Sequence, residues 1–361
     1  MLKKITLYLI ISFIMGRKAA KHLNKKRLII IAAVVLAVGA LAAVFFKPVR
    51  SFINGKKEYT AEGFYMNTYV TAKVTGESSD ATAKIILTNI ETIENLCLSR
   101  TVEGSDIFNL NEKGSFQVSD LTLSVLKTAL DVCDKSGGAL DIGIADLVDL
   151  WNINQGAVQP PEEEKISSLK GNKYNNISIN GYAVTLDNGA KIDLGSVGKG
   201  AACDTVLTLL EMSGAKRAVV SIGGSILLYG DGDFTVGIAS PEKGSADYIA
   251  TINTQSGFVS TSGTYERFFD YNGVRYHHIL DPETGYPVQN GLASVTIVSD
   301  SGVLSDALST ACFVLGIENG KKLAEQYGCQ AIFVTDGKQI YSTDGIRNQI
   351  EITDNSYTMA D

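Results

Sequence analysis

Two of the three histidines in the chain, His277 and His278, stand side by side just ahead of an Asp281-Pro282 step, within the run STSGTYERFFDYNGVRYHHILDPETGYP at residues 260–287. Imidazole is the side chain whose ordinary titration lies nearest neutrality, so such a pair could take a proton from a hydroxyl. The same run offers the hydroxyls of Thr261 and Ser262 beside Gly263, and Thr284-Gly285 completes a tight turn after Asp281-Pro282. A second group is Asp306 with Thr310, four residues apart in VSDSGVLSDALSTACFVLG at 298–316. On a helix that spacing puts both on one face. A carboxylate and a hydroxyl are hard oxygen ligands suited to Mg²⁺, which usually keeps water and substrate phosphate oxygens in its other positions. A solvated acid favoured by the helix dipole accounts for Asp306 equally well.

A third group is KIDLGSVGKG at 191–200, which reads as a strand entering a Gly-rich turn, followed by a helix over about 201–213. Backbone N–H groups and a helix N-terminus would then converge on one point, a ready anion site. It is not a Walker A loop, because the four-residue Gly spacing and the hydroxyl after the Lys are both missing. Asp141-Ile142-Gly143 precedes Trp151, the chain's only tryptophan, and reads either as a helix N-cap or as a ligand contact.

These groups need elements to hold them. Asn272-Gly273 predicts a hairpin pairing 265–269 with 274–279. Residues 63–68 lead into an alternating strand at 69–74, and 80–98 form an amphipathic helix with Ile85, Ile86, Ile90, Ile93 and Leu96 on one face. Further helices are expected at 120–136, stopped by Gly137-Gly138, and around 139–151. Residues 155–164 form a loop into a short helix. A hairpin joins 176–179 to 183–186, and strands follow at 218–222 and 234–238. In the helix carrying Asp306, Ser305 is the expected N-cap, with Leu304, Leu308, Cys312 and Leu315 as its core stripe. The expected fold class is α+β, with mixed, mostly antiparallel sheets and packed helices.

The 361 residues are 45% apolar and 20% charged, enough for a sizeable core and unlike a disordered chain. Eight of the 32 Lys and Arg fall in residues 1–27 and none of the 39 acids does, so the remainder carries 24 basic against 39 acidic residues. Nucleic acid is a poor partner for so acidic a body. Residues 1–27 read as a basic cytoplasmic segment and 28–46, uncharged, as one transmembrane anchor. Residues 47–60 read as a linker and 61–361 as the catalytic domain. Lys25-Lys26-Arg27 predicts that everything after Lys47 lies outside the cytoplasm. The stretch 5–15 is apolar but too short to span, and Met15-Gly16-Arg17-Lys18 reads as a more natural start. The five cysteines show no CxxC spacing, and core packing suits them better than disulfides.

Asp193-Leu194-Gly195 through Lys199-Gly200 to Asp204, then Ile222-Gly223-Gly224, Thr261-Ser262-Gly263-Thr264-Tyr265-Glu266-Arg267, His278-Ile279-Leu280-Asp281-Pro282 with Thr284-Gly285, and Asp306-Ala307-Leu308-Ser309-Thr310 occur in the order seen in the ApbE family. Over roughly 63–341 the chain resembles FAD:protein FMN transferases. That resemblance implies a Mg²⁺-dependent enzyme that splits FAD and attaches FMN through its phosphate to a Thr or Ser of a partner flavoprotein, often in a membrane redox complex. It further implies that Met66, Asp141, Ile142, Gly143, Lys199, Thr205 and Leu280 contact FAD. The metal would be held by the Ala202 carbonyl with Asp306 and Thr310. Asn67 replaces the usual Gly of an M-G-T element, yet Asn tolerates the left-handed region. His278 is the candidate base, with AMP as leaving group. Two rival readings are an FAD pyrophosphatase, with water in place of the acceptor hydroxyl, and a membrane-tethered flavin-binding module without turnover. The Asp306/Thr310 pair argues against the second, since a pure binder needs no metal at a scissile bond.

Overall fold

The computed structural model describes residues 58–242 and 247–360. The expected anchor, its basic flank and most of the linker lie outside the described residues. Among the described residues, no helix is long and apolar enough to cross a membrane. The first strand begins at Glu58, so residues 58–60 belong to the folded body and not to a linker.

Nine strands form the central sheet: β1 Glu58–Tyr65, β2 Thr68–Gly76, β3 Ala215–Ile222, β4 Ser225–Gly230, β5 Gly257–Gly263, β6 Leu292–Ser299, β7 Gln330–Thr335, β8 Gln339–Ser342 and β9 Thr358–Met359. They stand in the sheet in chain order, and every neighbouring pair is antiparallel except the last. Two-residue alternation decides what each face meets. In β7, Ala331 and Phe333 point to the helical side, while Ile332 and Val334 point to the other. That other side is covered by a three-stranded sheet of Phe234–Ala239, Tyr248–Thr254 and Ile350–Ile352. The architecture is therefore the expected α+β, with mostly antiparallel sheets.

Four principal helices fill the helical side: α1 Ser79–Ile93, α2 Asp120–Lys135, α3 Gly198–Ser213 and α4 Gly302–Gln326, the last kinked at Gly316. In α1 the buried residues are Ala83, Ile86, Leu87, Ile90 and Ile93, whereas Ile85 and Leu96 are exposed, contrary to the expected stripe. Ile85 lies about 100° round the helix from buried Ile86, whereas for Leu96 the reason is a π turn at Glu94–Leu98 that follows α1, closed by Ser99 N–H donating to the Glu94 carbonyl at 3.0 Å. The extra residue rotates Leu96 off the core face. The cap of α4 is Ser301 and not Ser305, whose hydroxyl turns back to the Gly302 carbonyl. Leu308 and Cys312 are buried as expected, with Leu304 and Leu315 packed against the same core. All five cysteines are free, and Cys133, Cys203 and Cys312 are buried in α2, α3 and α4.

Smaller departures follow local chemistry. Residues 191–194 make only a single parallel bridge, Lys191 to Ile144, so no strand enters the Gly-rich turn, and α3 already contains Gly198-Lys199-Gly200. The tryptophan helix spans only Ala145–Trp151. A helix at Asp106–Lys113, capped by Ser105, had no counterpart in the sequence expectation. The Asn272-Gly273 hairpin forms between Phe268–Tyr271 and Val274–His277, which leaves Tyr265, Glu266 and Arg267 outside its strands.

The tightest contact in the molecule that bears on the site is between α3 and α4. A Cβ on Gly200 would lie 2.0 Å from the Gly302 carbonyl oxygen, and one on Gly302 would lie 2.2 Å from that of Gly200. Both obstructions are backbone, which cannot turn aside. Gly200→Ala gains about 1 kcal/mol of helix propensity, but the clash costs roughly 3 kcal/mol. A net loss of stability is therefore expected in thermal unfolding, and an unchanged or raised midpoint would refute this packing account.

Candidate active site

The helices that touch at Gly200 and Gly302 open onto a cavity of about 830 Å³, within the usual range for small-molecule sites. The start of α3 has no side-chain cap of its own. The Gly200 N–H donates instead to Asp306 Oδ2 on α4 at 3.0 Å. Asp306 is 3% exposed. Its Oδ1 accepts from Ser225 Oγ at 3.0 Å and lies 3.6 Å from Lys199 Nζ. In return, Asp204 on α3 caps α4, accepting from Gly302 N at 2.7 Å and Val303 N at 2.9 Å. Burial raises the Asp204 carboxyl above its ordinary pKa, against the pull of those two N–H bonds.

One turn along α4, Thr310 Oγ1 sits 3.3 Å from Ser262 Oγ, which is 2.7 Å from Ser309 Oγ. Asp306, Thr310 and Ser262 all line the cavity. Among the described residues no three His, Cys, Asp or Glu cluster as a metal cage. One carboxylate with neighbouring hydroxyls fits a hard cation that draws its remaining ligands from water and phosphate, the habit of Mg²⁺ and not of Zn²⁺.

The two histidines divide as their neighbouring positions suggest. His277 is buried, with Nε2–H donating to the Val288 carbonyl at 2.7 Å and its ring edge-on to Phe313. His278 is half-buried and lines the cavity. Its Nδ1 lies 3.3 Å from the Arg267 carbonyl, which can only accept, so Nδ1 carries the proton and Nε2 keeps its lone pair. The expected near-neutral pKa does not hold. Burial first, then the positive charges of Arg267 and Lys199, pull His278 down to about 3.

Across the cavity the β1–β2 hairpin turns through Met66 (φ 50°) and Asn67 (φ 56°), both left-handed, so Asn67 does take the conformation expected of it. Arg267 reaches this tip, donating from Nη2 to the Asn67 carbonyl at 2.8 Å and from Nη1 to Asn154 Oδ1 at 3.1 Å. Arg100 closes the wall, with Nε 2.6 Å from Asp193 and both terminal nitrogens on Asp149. Glu266 opens onto the cavity. It is exposed there, and the cavity walls around its carboxyl raise its pKa despite Lys199 and Arg267 nearby.

Of the sequence candidates, Met66, Asp141, Lys199, His278, Leu280, Asp306 and Thr310 come together on the cavity wall. Ile142, Gly143, Ala202 and Thr205 do not line it. Ile142 and Ala202 are fully buried, and the Thr205 hydroxyl is turned back onto the Ala201 carbonyl at 2.8 Å. Asp141 is committed to backbone, accepting from Gly143 N at 2.7 Å and Lys173 N at 2.5 Å, so it shapes a turn and does not cap the tryptophan helix. Asp281 likewise holds its turn, through Glu283 N and Thr284 Oγ1. Glu266 and Arg267 were visible in the Tyr265-Glu266-Arg267 run but carried no assigned role. Glu94 and Arg100 gave no local signal, because their partners Met66, Asp149 and Asp193 are distant in the chain.

Comparison with known proteins follows the same lines. The ApbE family model matches residues 66–333. An FAD:protein FMN transferase of Treponema pallidum (strain Nichols) is 31% identical over 84% of this chain and 91% of the relative. One from Escherichia coli (strain K12) is 28% identical over 84% and 92%. Among solved structures, the apbe protein from Thermotoga maritima matches with a TM-score of 0.74 and 31% identity, covering 81% of this chain and 99% of that one. Flavin Transferase ApbE from Vibrio cholerae matches at 0.71 and 25%, covering 81% and 99%.

The depressed histidines have a consequence for acid stability. In the unfolded chain an imidazole binds its proton near pH 6.5, whereas native His278 does so only near 3 and native His277 is shifted the same way. The unfolded state therefore gains protons first, and stability falls as the pH drops from about 6.5 towards 3, with no contribution above that window. Asp141, Asp204 and Glu266, whose pKa values are raised, act with the opposite sign, so the test is differential. His278→Gln should lose less stability than the parent between about pH 7 and 5 in denaturant titrations. Equal losses would mean that His278 is not held neutral by the fold.

Proposed function

The chain belongs to the ApbE family of FAD:protein FMN transferases, and from that premise we propose that it transfers FMN from FAD to a threonine or serine hydroxyl of a partner flavoprotein, with Mg²⁺ required and AMP released. One arrangement carries this reading: the start of α3 with Lys199, and the Asp306/Thr310 pair of α4, face one cavity, opposite an imidazole whose Nε2 lone pair is free. The dipole of α3 and a lysine favour a pyrophosphate there.

Asp306 and Thr310 would hold Mg²⁺, which when bound would offset negative charge on the pyrophosphate oxygens. The Ala202 carbonyl, buried within α3, is the weakest member of the expected ligand set. Met66 and Leu280 would flank the flavin nucleotide, and the cavity walls would fix its orientation. The acceptor oxygen forms a bond to the phosphorus on the flavin side. The bond from that phosphorus to the bridging oxygen breaks, and AMP leaves with that oxygen. His278 Nε2 takes the hydroxyl proton. A base of such low pKa is weak, but it is neutral across the working range. An arriving pyrophosphate would also offset the Lys199 and Arg267 charges that depress it, bringing it back towards neutrality.

The reading also includes a place in the cell. The basic run ending at Arg27, followed by the uncharged stretch 28–46, supports a single anchor with the catalytic body on the extracytoplasmic side, where an acceptor of a membrane redox complex would meet it. Protease added to intact cells should then digest the body. Digestion only after permeabilisation would reverse the topology.

The decisive assay is incubation with FAD, Mg²⁺ and candidate acceptors, followed by mass spectrometry of the acceptor. A covalent FMN adduct is expected, whereas free FMN and AMP with no adduct would make the protein a pyrophosphatase. Asp306→Asn keeps the side-chain shape and an oxygen for Gly200 N–H, and should lower transfer by roughly 10²-fold or more. Undiminished transfer by this variant, or by the parent in excess chelator, would remove the metal from the reaction.

A further inference from the structure

The tip of the β1–β2 hairpin is held by opposite charges at its two ends. Met66 and Asn67 both adopt left-handed backbone (φ 50° and 56°), a conformation that Asn accepts and a long unbranched side chain such as Met rarely does. Such a pair persists only where its surroundings fix it. The Met66 N–H donates to Glu94 Oε2 at 2.8 Å, from the π turn after α1. The Asn67 carbonyl accepts from Arg267 Nη2 at 2.8 Å, while the same guanidinium donates to Asn154 at 3.1 Å. Held this way, the Met66 methyl comes against the first turn of α3: a Cβ on Gly198 would stand 3.4 Å from it.

We propose that Arg267 and Glu94 are positioning residues, which clamp the Met66-Asn67 turn in its left-handed form and so set Met66 over the α3 N-terminus that receives the FAD pyrophosphate. The clamp rests on the functional reading above for its ligand, though not for its existence. Both bonds to the turn are charge-assisted, which makes them about twice as strong as neutral ones. Glu94 comes from the helical layer and Arg267 from the segment that precedes the Asn272-Gly273 hairpin, so three distant parts of the chain meet at two residues. The Arg267 side chain serves the turn while its carbonyl serves His278. Replacing the side chain therefore leaves the base's tautomer intact and should act on substrate binding, while losing its charge also relieves one of the influences that hold the His278 pKa down.

The test uses the full chain with Arg267→Gln, Arg267→Lys, Asn67→Gly and the Arg267→Gln/Asn67→Gly pair. Arg267→Gln should raise the Kd for FAD roughly tenfold. Gly adopts positive φ without strain, so adding Asn67→Gly should restore most of the lost affinity, measured against Asn67→Gly alone. Arg267→Lys keeps one donor for the Asn67 carbonyl and should fall between parent and Gln. Without any ligand, amide exchange of Met66 should quicken in Arg267→Gln and slow again in Arg267→Lys. Three results would overturn the proposal: unchanged affinity in Arg267→Gln, an affinity loss that Asn67→Gly does not repair, or unchanged exchange at Met66. The second would place Arg267 directly on the pyrophosphate. If parent FAD binding itself is absent, the functional reading fails, and the exchange measurement still decides the clamp.

Discussion

The site depends on two helices that cap each other. Asp306 of α4 accepts an N–H from the first turn of α3, and Asp204 of α3 accepts two from the first turn of α4. Each carboxylate sits where the partner's helix dipole favours negative charge, and each satisfies donors that the partner's own sequence leaves open. The exchange needs the helix starts to touch, which is why Gly200 and Gly302 face each other without side chains. It also explains the burial of Asp306: the residue that would bind a cation is the one that joins the helices. A cation there would compete with Lys199, 3.6 Å from the same carboxylate. Structure and chemistry share one side chain.

The sheet supplies the second constraint. Because its nine strands stand in chain order, the excursions between strands, α1, α2, α3 and α4 among them, are free to reach the same end of the molecule. The β1–β2 tip, the Gly223-Gly224 turn between β3 and β4, and the end of β5 all border the cavity there. Trp151 anchors the far wall, its Nε1–H donating to the Gly285 carbonyl at 2.7 Å while its ring stacks on Tyr276. Gly285 has φ 79°, and a Cβ there would strike Ile166. The Asp281-Pro282 turn is thus fixed from both sides, and the segment carrying His278 and Leu280 is fixed with it.

Much of this was legible before any coordinates. Alternation revealed β2, periodicity revealed most of α1, Gly137-Gly138 marked the stop of α2, and Asn272-Gly273 announced its hairpin because few other dipeptides accept positive φ twice. The i, i+4 placement of Asp306 and Thr310 survived because helical geometry alone determines it. What escaped was tertiary. Ser305 is as good a cap by residue type as Ser301, and nothing local says that Asp204 reinforces the earlier one. Thr205 offers a hydroxyl on paper but spends it on the preceding turn of its own helix. Arg100 pairs with residues 49 and 93 positions away, a relation with no period to detect. The near-neutral expectation for His278 failed for a related reason, since burial depresses it first, joined by Arg267 across the hairpin and Lys199 from α3.

The π turn at Glu94–Leu98 sets the regularity of α1 against the wall of the cavity. It holds one residue more than an α-helical turn would, and each helical residue advances the chain by about 100°. Deleting a single residue after Glu94 would let α1 continue in regular form, with better hydrogen bonding. The same deletion would swing Arg100 away from Asp193. Helical regularity and the Arg100 side of the wall are thus mutually exclusive in this segment.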